Sequence, residues 1–313
     1  MTPFPRGEEL TFRIVLAYLG VYLIWGSTYL AIRVGVEHLP PALFAGARFA
    51  LAGMLLLLFG VIKGYTFPSL RAISDLSIVG LFLLIGGNLL VVWAEQTIPS
   101  GLAALIIGAE PLIIATMDSV TPGGRNLAPL GWLGSIIGLV GVVILVSPSI
   151  GLAEGERLDL LGLGAILLAC ILWAIGSLYA QRRNVEGNIF VNAGIQNCAP
   201  AIVALTIGIA AGETSQLRFT TQGVLALLYL VVFGSILGYT SYQYLLRHQP
   251  PAKATTYAYI NPVVAIILGW LILDEPIAAR TVVAGVVILL GVALVQTAKV
   301  RERVLPQRTE RAT

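Results

Sequence analysis

Three observations predict an all-α polytopic membrane protein of ten transmembrane helices arranged as two inverted five-helix repeats. The 313-residue chain is 57% hydrophobic and 11% charged, with mean hydropathy +0.89. Soluble domains carry about 25% charged residues, so this balance belongs in lipid. Ten apolar runs follow one another with short connectors, each long enough to cross a hydrocarbon core of about 30 Å. Finally, stretches about 150 residues apart read as copies of each other. Ile24-Trp25-Gly26-Ser27-Thr28-Tyr29 answers to Leu172-Trp173-Ala174-Ile175-Gly176-Ser177, Glu110-Pro111 to Asn261-Pro262, and Gly141 to Gly291. A repeat with an odd number of spans enters the bilayer in opposite senses, which relates the halves by a pseudo-two-fold axis in the membrane plane.

The elements follow in order. The first span, 14–33, is too long for a signal-peptide core and precedes no small-residue cleavage site, so it is expected to stay as a transmembrane helix. The second, 40–62, opens at Pro40 and buries Arg48; the third, 76–97, carries Asn88 and Glu95 on one face; the fourth, 101–118, contains Glu110-Pro111. In the fifth, 129–147, Gly131, Gly134, Gly138 and Gly141 fall on one face, where small residues let helix backbones approach in lipid. That face serves either ordinary packing within the chain or a repeat-to-repeat or dimer contact. A linker, 148–157, then joins the first repeat, 14–147, to the second, 158–297.

The second repeat has spans at 158–180, 189–211, 222–245, 251–272 and 278–297. Trp173 sits mid-span in the sixth, matching Trp25, and both are too deep for interfacial belts. They form either an aromatic wall for a substrate or packing bulk, whereas Trp93, Trp132 and Trp270 lie near span ends as anchors. Asn192 and Gln196 stand one turn apart on the seventh span, Ser235 and Tyr239 on the eighth. Lys253, Tyr257 and Asn261, spaced by four, line one face of the ninth. A basic tail, 298–313, closes the chain as a topology anchor near anionic headgroups.

Charge sets the orientation. Of 19 Lys and Arg residues, Arg33, Arg157, Arg218 and Arg280 fall on one side and Arg48 inside a span; all the others fall on the opposite side. The positive-inside rule makes the richer side, with both termini, cytoplasmic. The net charge of +3 says little about nucleic acid, because the basic residues sit in loops and tail and form no single patch, and no nucleic-acid partner is expected. Cys170 and Cys198 fall inside spans as small apolar fillers.

Arg48 and Glu110 lie eight or nine residues below the outer boundary, roughly 12–14 Å at 1.5 Å per residue. An isolated charge there costs at least about 2.5–3.5 kcal/mol, so both should pair or face water. Two readings stand: a structural charge pair that locks helices, or polar groups facing a central site. Proline removes one backbone hydrogen bond, and in membranes such kinks persist where protein or a cavity satisfies the freed group. The matched Glu110-Pro111 and Asn261-Pro262 kinks therefore point to a midplane site, against the alternative of two packing kinks. His38 and His248 are placed in loops on opposite sides, so no histidine relay or metal cluster is expected. No hydrolase, metalloprotease or phosphate-loop motif occurs, which argues against an enzyme and against ATP-driven pumping.

Trp25-Gly26-Ser27-Thr28-Tyr29, Arg48-Phe49, Pro99-Ser100-Gly101-Leu102-Ala103-Ala104, Tyr257-Ala258-Tyr259-Ile260-Asn261-Pro262 and the Asp274-Glu275-Pro276 turn together resemble the EamA-type transporters of the drug/metabolite transporter superfamily. The resemblance spans roughly 14 to 297 as two units, and it rests on the order and duplication of the motifs. It implies ten spans, cytoplasmic termini, a cavity between the repeats and export of amino acids, metabolites or drugs across a bacterial inner membrane. The first copy departs from it, with Thr121-Pro122-Gly123-Gly124 where the second has the acidic turn.

The expectation is thus a multi-pass secondary transporter of the bacterial inner membrane that works on small molecules by alternating access. Asn88, Glu110, Tyr257 and Asn261 are its polar contacts and Trp25, Trp173 and Tyr239 its walls. Protons are the candidate coupling ion, with Glu110 the carrier; uncoupled diffusion is equally compatible. No cofactor or metal is expected, and the lipid bilayer is the surrounding partner. Monomer and homodimer both remain open. The alternative from another class is a non-transporting membrane receptor or assembly protein, which would tolerate apolar replacement of the interior polar residues.

Overall fold

A computed structural model describes residues 7–122, 124, 127–147, 159–249 and 256–298. The expected linker, Lys253 and nearly all of the basic tail lie outside these residues. Among the described residues the fold is all-helical and consists of ten rods. We number them α1 (Phe12–His38), α2 (Pro41–Ile62), α3 (Leu70–Ala94), α4 (Ser100–Val120), α5 (Pro129–Val146), α6 (Leu160–Arg183), α7 (Ile189–Ala210), α8 (Thr221–His248), α9 (Tyr257–Leu273) and α10 (Ala279–Thr297). All but α9 are long and apolar enough to cross a membrane, and the apolar stretch of α9, Tyr259–Leu273, is shorter. Leu139, Ile136, Leu228, Val283 and many similar side chains point outward. Such a surface suits hydrocarbon and not water.

Side-chain caps set several of the helix starts. Asp159 accepts from the Leu161 and Gly162 amides at 3.1 and 3.0 Å, Asn188 from Phe190 at 2.9 Å, and Thr220 from Gly223 at 3.1 Å. The Ser69 hydroxyl accepts from Ala72 at 3.3 Å, so α3 starts at Leu70, six residues before its expected beginning. Helix α1 likewise runs past residue 33 to His38, and α8 ends on His248. Both histidines therefore finish helices and do not sit in loops.

Helices α2 and α4 follow Pro40 and Pro99 and have no side-chain cap of their own. The second half of the chain supplies one. Glu213, beyond α7, accepts from the Ala42 and Leu43 amides at 3.2 and 2.8 Å. Glu275, in the acidic turn beyond α9, accepts from the Ser100 and Gly101 amides at 2.8 and 3.1 Å and from the Ser100 hydroxyl at 3.0 Å. A carboxylate at each helix start satisfies free N–H groups and complements the positive end of the dipole.

The packing has a two-fold pattern under exchange of α1–α5 with α6–α10. Helix α2 packs along α7, α5 along α10 and α4 along α9, each pair being its own image. Helix α3 lies on α6 as α8 lies on α1, and α4 lies on α6 as α9 lies on α1. The α5 glycine face meets α10. A Cβ on Gly134 would come within 2.6 Å of the Gly291 carbonyl oxygen, and one on Gly141 within 2.7 Å of Ile288. The stripe is thus consumed inside the chain, in a seam between its two halves.

Candidate functional site

A central cavity is lined by α1–α4 and α6–α9, with no contribution from α5 or α10. Three of its walls share a local feature. Gly20–Trp25 in α1, Leu81–Leu89 in α3 and Leu230–Gly238 in α8 are wound as π-helix. The last two occupy corresponding places in the two halves, and such turns recur at functional sites. They hold Trp25, Asn88 and Ser235 on the cavity wall. Three glycines make room for the largest side chains. A Cβ on Gly87 would lie 2.5 Å from the Trp173 ring, one on Gly238 2.5 Å from Trp25 Nε1, and one on Gly234 2.8 Å from Arg48 Nη2.

Arg48 is 4% exposed, and its guanidinium meets neutral partners. Its Nε donates to Ser235 Oγ at 2.8 Å and its Nη1 to Asn88 Oδ1 at 3.2 Å. The Phe49 ring centroid is 5.7 Å away. Glu110, 3% exposed, accepts one long hydrogen bond, 3.4 Å from the Tyr257 hydroxyl. No ion pair joins Arg48 to Glu110, which corrects the expectation of a structural charge pair. Similar depth put the two on one level; the rotation of α2 and α4 directs each to its own neutral partner.

Glu110 also marks a break. Helix α4 stops at Ile107, turns through Gly108 and Ala109, and restarts at Glu110 with Pro111 in its first turn. Proline is tolerated there because that N–H would be unpaired anyway. In α9, Pro262 lies inside the helix. The two matched sites therefore differ: one is a broken helix, the other a helix with proline inside it.

Rings close one side of the cavity. Trp25 and Trp173, from corresponding positions, meet edge to face with centroids 5.8 Å apart. Tyr242 lies 5.1 Å from Trp25 and 6.0 Å from Trp173, and Tyr257 lies 5.3 Å from Trp25 and 5.8 Å from Tyr242. The Tyr239 hydroxyl donates to Gln196 Oε1 at 2.8 Å, and Trp25 Nε1 donates to the Gly234 carbonyl at 3.2 Å. On the same wall, Trp173 Nε1 and Asn197 Oδ1 are buried with no hydrogen-bond partner among the described residues. Buried polar atoms are normally paired, so these two are available to cargo or water.

Trp25, Arg48, Asn88, Glu110, Trp173, Tyr239 and Tyr257 all stand on this wall. Asn261 does not: it is 3% exposed within α9, and its Oδ1 has no partner among the described residues. Glu95, expected on one face with Asn88, lies just past the end of α3, fully buried and away from the cavity. Trp93, Trp132 and Trp270 are 41%, 41% and 53% exposed and face outward. Cys170 joins the cavity wall as a free thiol, and Cys198 is half-buried. Thr28, Tyr29 and Asn197 line the cavity unforeseen. Spacing relative to Trp25 could have found the first two, since one helical turn on one face holds Trp25, Thr28 and Tyr29.

Known proteins share this organisation. The family model described as "EamA-like transporter family" matches twice, at residues 12–147 and 160–297. The "Uncharacterized inner membrane transporter YedA" of Escherichia coli K12 is 39% identical over 286 residues, 90% of each chain. The "Probable amino-acid metabolite efflux pump" of the same organism is 26% identical, covering 88% of this chain and 92% of its own. A solved crystal structure, 21% identical and covering 91% of this chain and 97% of the other, has the same fold with a TM-score of 0.65. With both halves matched by the family model and a relative this similar along nearly its whole length, the chain belongs to the EamA-like transporter family of multi-pass membrane proteins.

Proposed function

We propose that the chain is a secondary exporter of the bacterial inner membrane. It carries small polar or amphipathic molecules of the amino-acid, amine or drug type by alternating access around the central cavity. The observation that carries this reading is the cavity's construction. Eight helices from both halves contribute, and two charged side chains are buried on its wall. Charges at such depth face interior paths or water and mark the route of a substrate. Rocking of 14–147 against 158–297 would expose the cavity to each side in turn, with both termini cytoplasmic. The efflux name of one relative and the inner-membrane name of another support the direction and the location. Protons are the candidate coupling ion, with Glu110 as carrier.

The test is efflux of radiolabelled amino acids, amines and dyes from cells overproducing the protein, with membrane yield measured alongside. Glu110→Gln and Trp25→Ala should each lower flux at least tenfold, about 1.4 kcal/mol, at unchanged yield. Asn261→Leu, off the wall, should lower it less. Normal flux in the first two variants would remove the site. A wild-type protein that moves no probe would favour the receptor alternative. Flux indifferent to an imposed pH gradient would assign facilitated diffusion.

A further inference from the structure

Within the carrier reading just given, on which this rests, we infer that Arg48 is the anchor for a carboxylate on the cargo, so the site selects carboxylate-bearing molecules over amines and cationic drugs. A guanidinium offers five N–H donors. Two are used within the protein, on Ser235 Oγ and Asn88 Oδ1, and both acceptors are neutral. A buried cation with only neutral partners lacks most of the compensation that offsets its desolvation. The nearest kind of group that would restore it is an anion arriving through the cavity, and the planar fork of arginine matches a carboxylate in bidentate fashion.

The local build keeps that fork available. The Ser235 and Asn88 contacts hold the Nε and Nη1 edges of the group, which fixes its plane. Among the described residues Nη2 donates to no protein atom, and Gly234 leaves it space that any Cβ, 2.8 Å away, would take. Both partners come from the matched π-helical segments of α3 and α8, one from each half of the chain. A merely structural arginine would be served by a carboxylate partner; here the one carboxylate on the wall, Glu110, turns to Tyr257 instead. A cation entering the cavity would meet Arg48 without a neutralising partner, and like charges at close range repel.

The experiment compares matched sets on purified full-length protein: leucine, isopentylamine and 4-methylpentanoate; phenylalanine, phenethylamine and 3-phenylpropanoate. Binding is read as ligand-dependent thermal stabilisation, and transport of the two amino acids in proteoliposomes is read separately. Wild-type protein should bind the carboxylate members at least about tenfold more tightly than the amine of the same set, as expected for one charge-assisted hydrogen-bonded contact. Arg48→Met should abolish that preference and Arg48→Lys should retain part of it. Equal or tighter binding of the amines by the wild type overturns the assignment, whether or not the variants fold. An acid preference that survives in a folded Arg48→Met protein does the same. Either result, with amino acids still transported, leaves the carrier reading standing. If no member binds and neither amino acid moves, the carrier reading falls too.

Discussion

The α5–α10 seam and the central cavity are both contacts between the halves of one chain, built on opposite principles. In the seam, backbone approaches backbone: a Cβ on Gly291 would fall 2.5 Å from the Gly138 nitrogen and 2.6 Å from the Gly134 carbonyl oxygen. In the cavity, glycines give way to side chains: Gly87 to Trp173, Gly234 to Arg48, Gly238 to Trp25. The seam uses small residues to hold helices together in a solvent that gives no hydrophobic drive between them. The cavity uses them to admit large polar and aromatic groups between helices that otherwise touch. Small residues in a membrane helix thus have two meanings, and the group standing opposite decides between them.

The sharpest way to break this comparison is to add one side chain to the seam. Gly291→Val should cost the most, because its Cβ meets main-chain atoms that cannot rotate away. Overpacking a tight core costs about 1–3 kcal/mol or more. The expected result is a large fall in folded membrane yield and in the unfolding midpoint in detergent. Wild-type yield and midpoint would mean the seam is looser than its geometry.

Gly234→Ala should come next and act differently. Its Cβ meets the end of a long side chain, which can move, so folded yield should stay near wild type. Displacing Arg48 should instead lower flux about tenfold, a loss of roughly 1.4 kcal/mol. A fall in yield with unchanged flux per molecule would place Gly234 with the seam glycines and erase the distinction.

Much of the seam was legible in the sequence, and less of the cavity. The 3-4-3 spacing of Gly131, Gly134, Gly138 and Gly141 is regular helix, so the face could be read directly. The partner of that face could not. In the cavity, depth was readable and direction was not. Arg48 and Glu110 were placed at one level, but which way each faces around α2 and α4 was not; elsewhere on the wall a π-helical turn adds a residue and rotates the remainder of its helix by about 100°. Three such segments shape the wall, and none has a local sequence signature. Glu95, two turns beyond Asn88, stands at the very end of α3 and so misses the cavity that Asn88 reaches. The helix starts at Ser69, Asp159, Asn188 and Thr220 obey local capping chemistry. Those of α2 and α4 depend on Glu213 and Glu275, more than 160 residues away in sequence, and no local reading finds them.

These two distant caps give the smallest effect and the finest contrast, because they join the halves as the seam does but with charge in place of close packing. Glu275 holds three donors at the start of α4, Glu213 two at the start of α2. Removing the charge while keeping the shape, as in Glu275→Gln, should lower stability by about 1 kcal/mol, the usual worth of a helix cap. Glu213→Gln should cost less, since one of its two bonds is 3.2 Å long. Unfolding midpoints in detergent should therefore fall in the order Glu275→Gln below Glu213→Gln below wild type, with Gly291→Val lowest of all. Because the caps grip first-half helices from second-half turns at one end only, Glu275→Gln should also ease opening at that end and leave carboxylate preference intact. A midpoint unchanged by Glu275→Gln would show that water replaces the carboxylate at no cost. The packed seam would then be the stronger of the two ties between the halves.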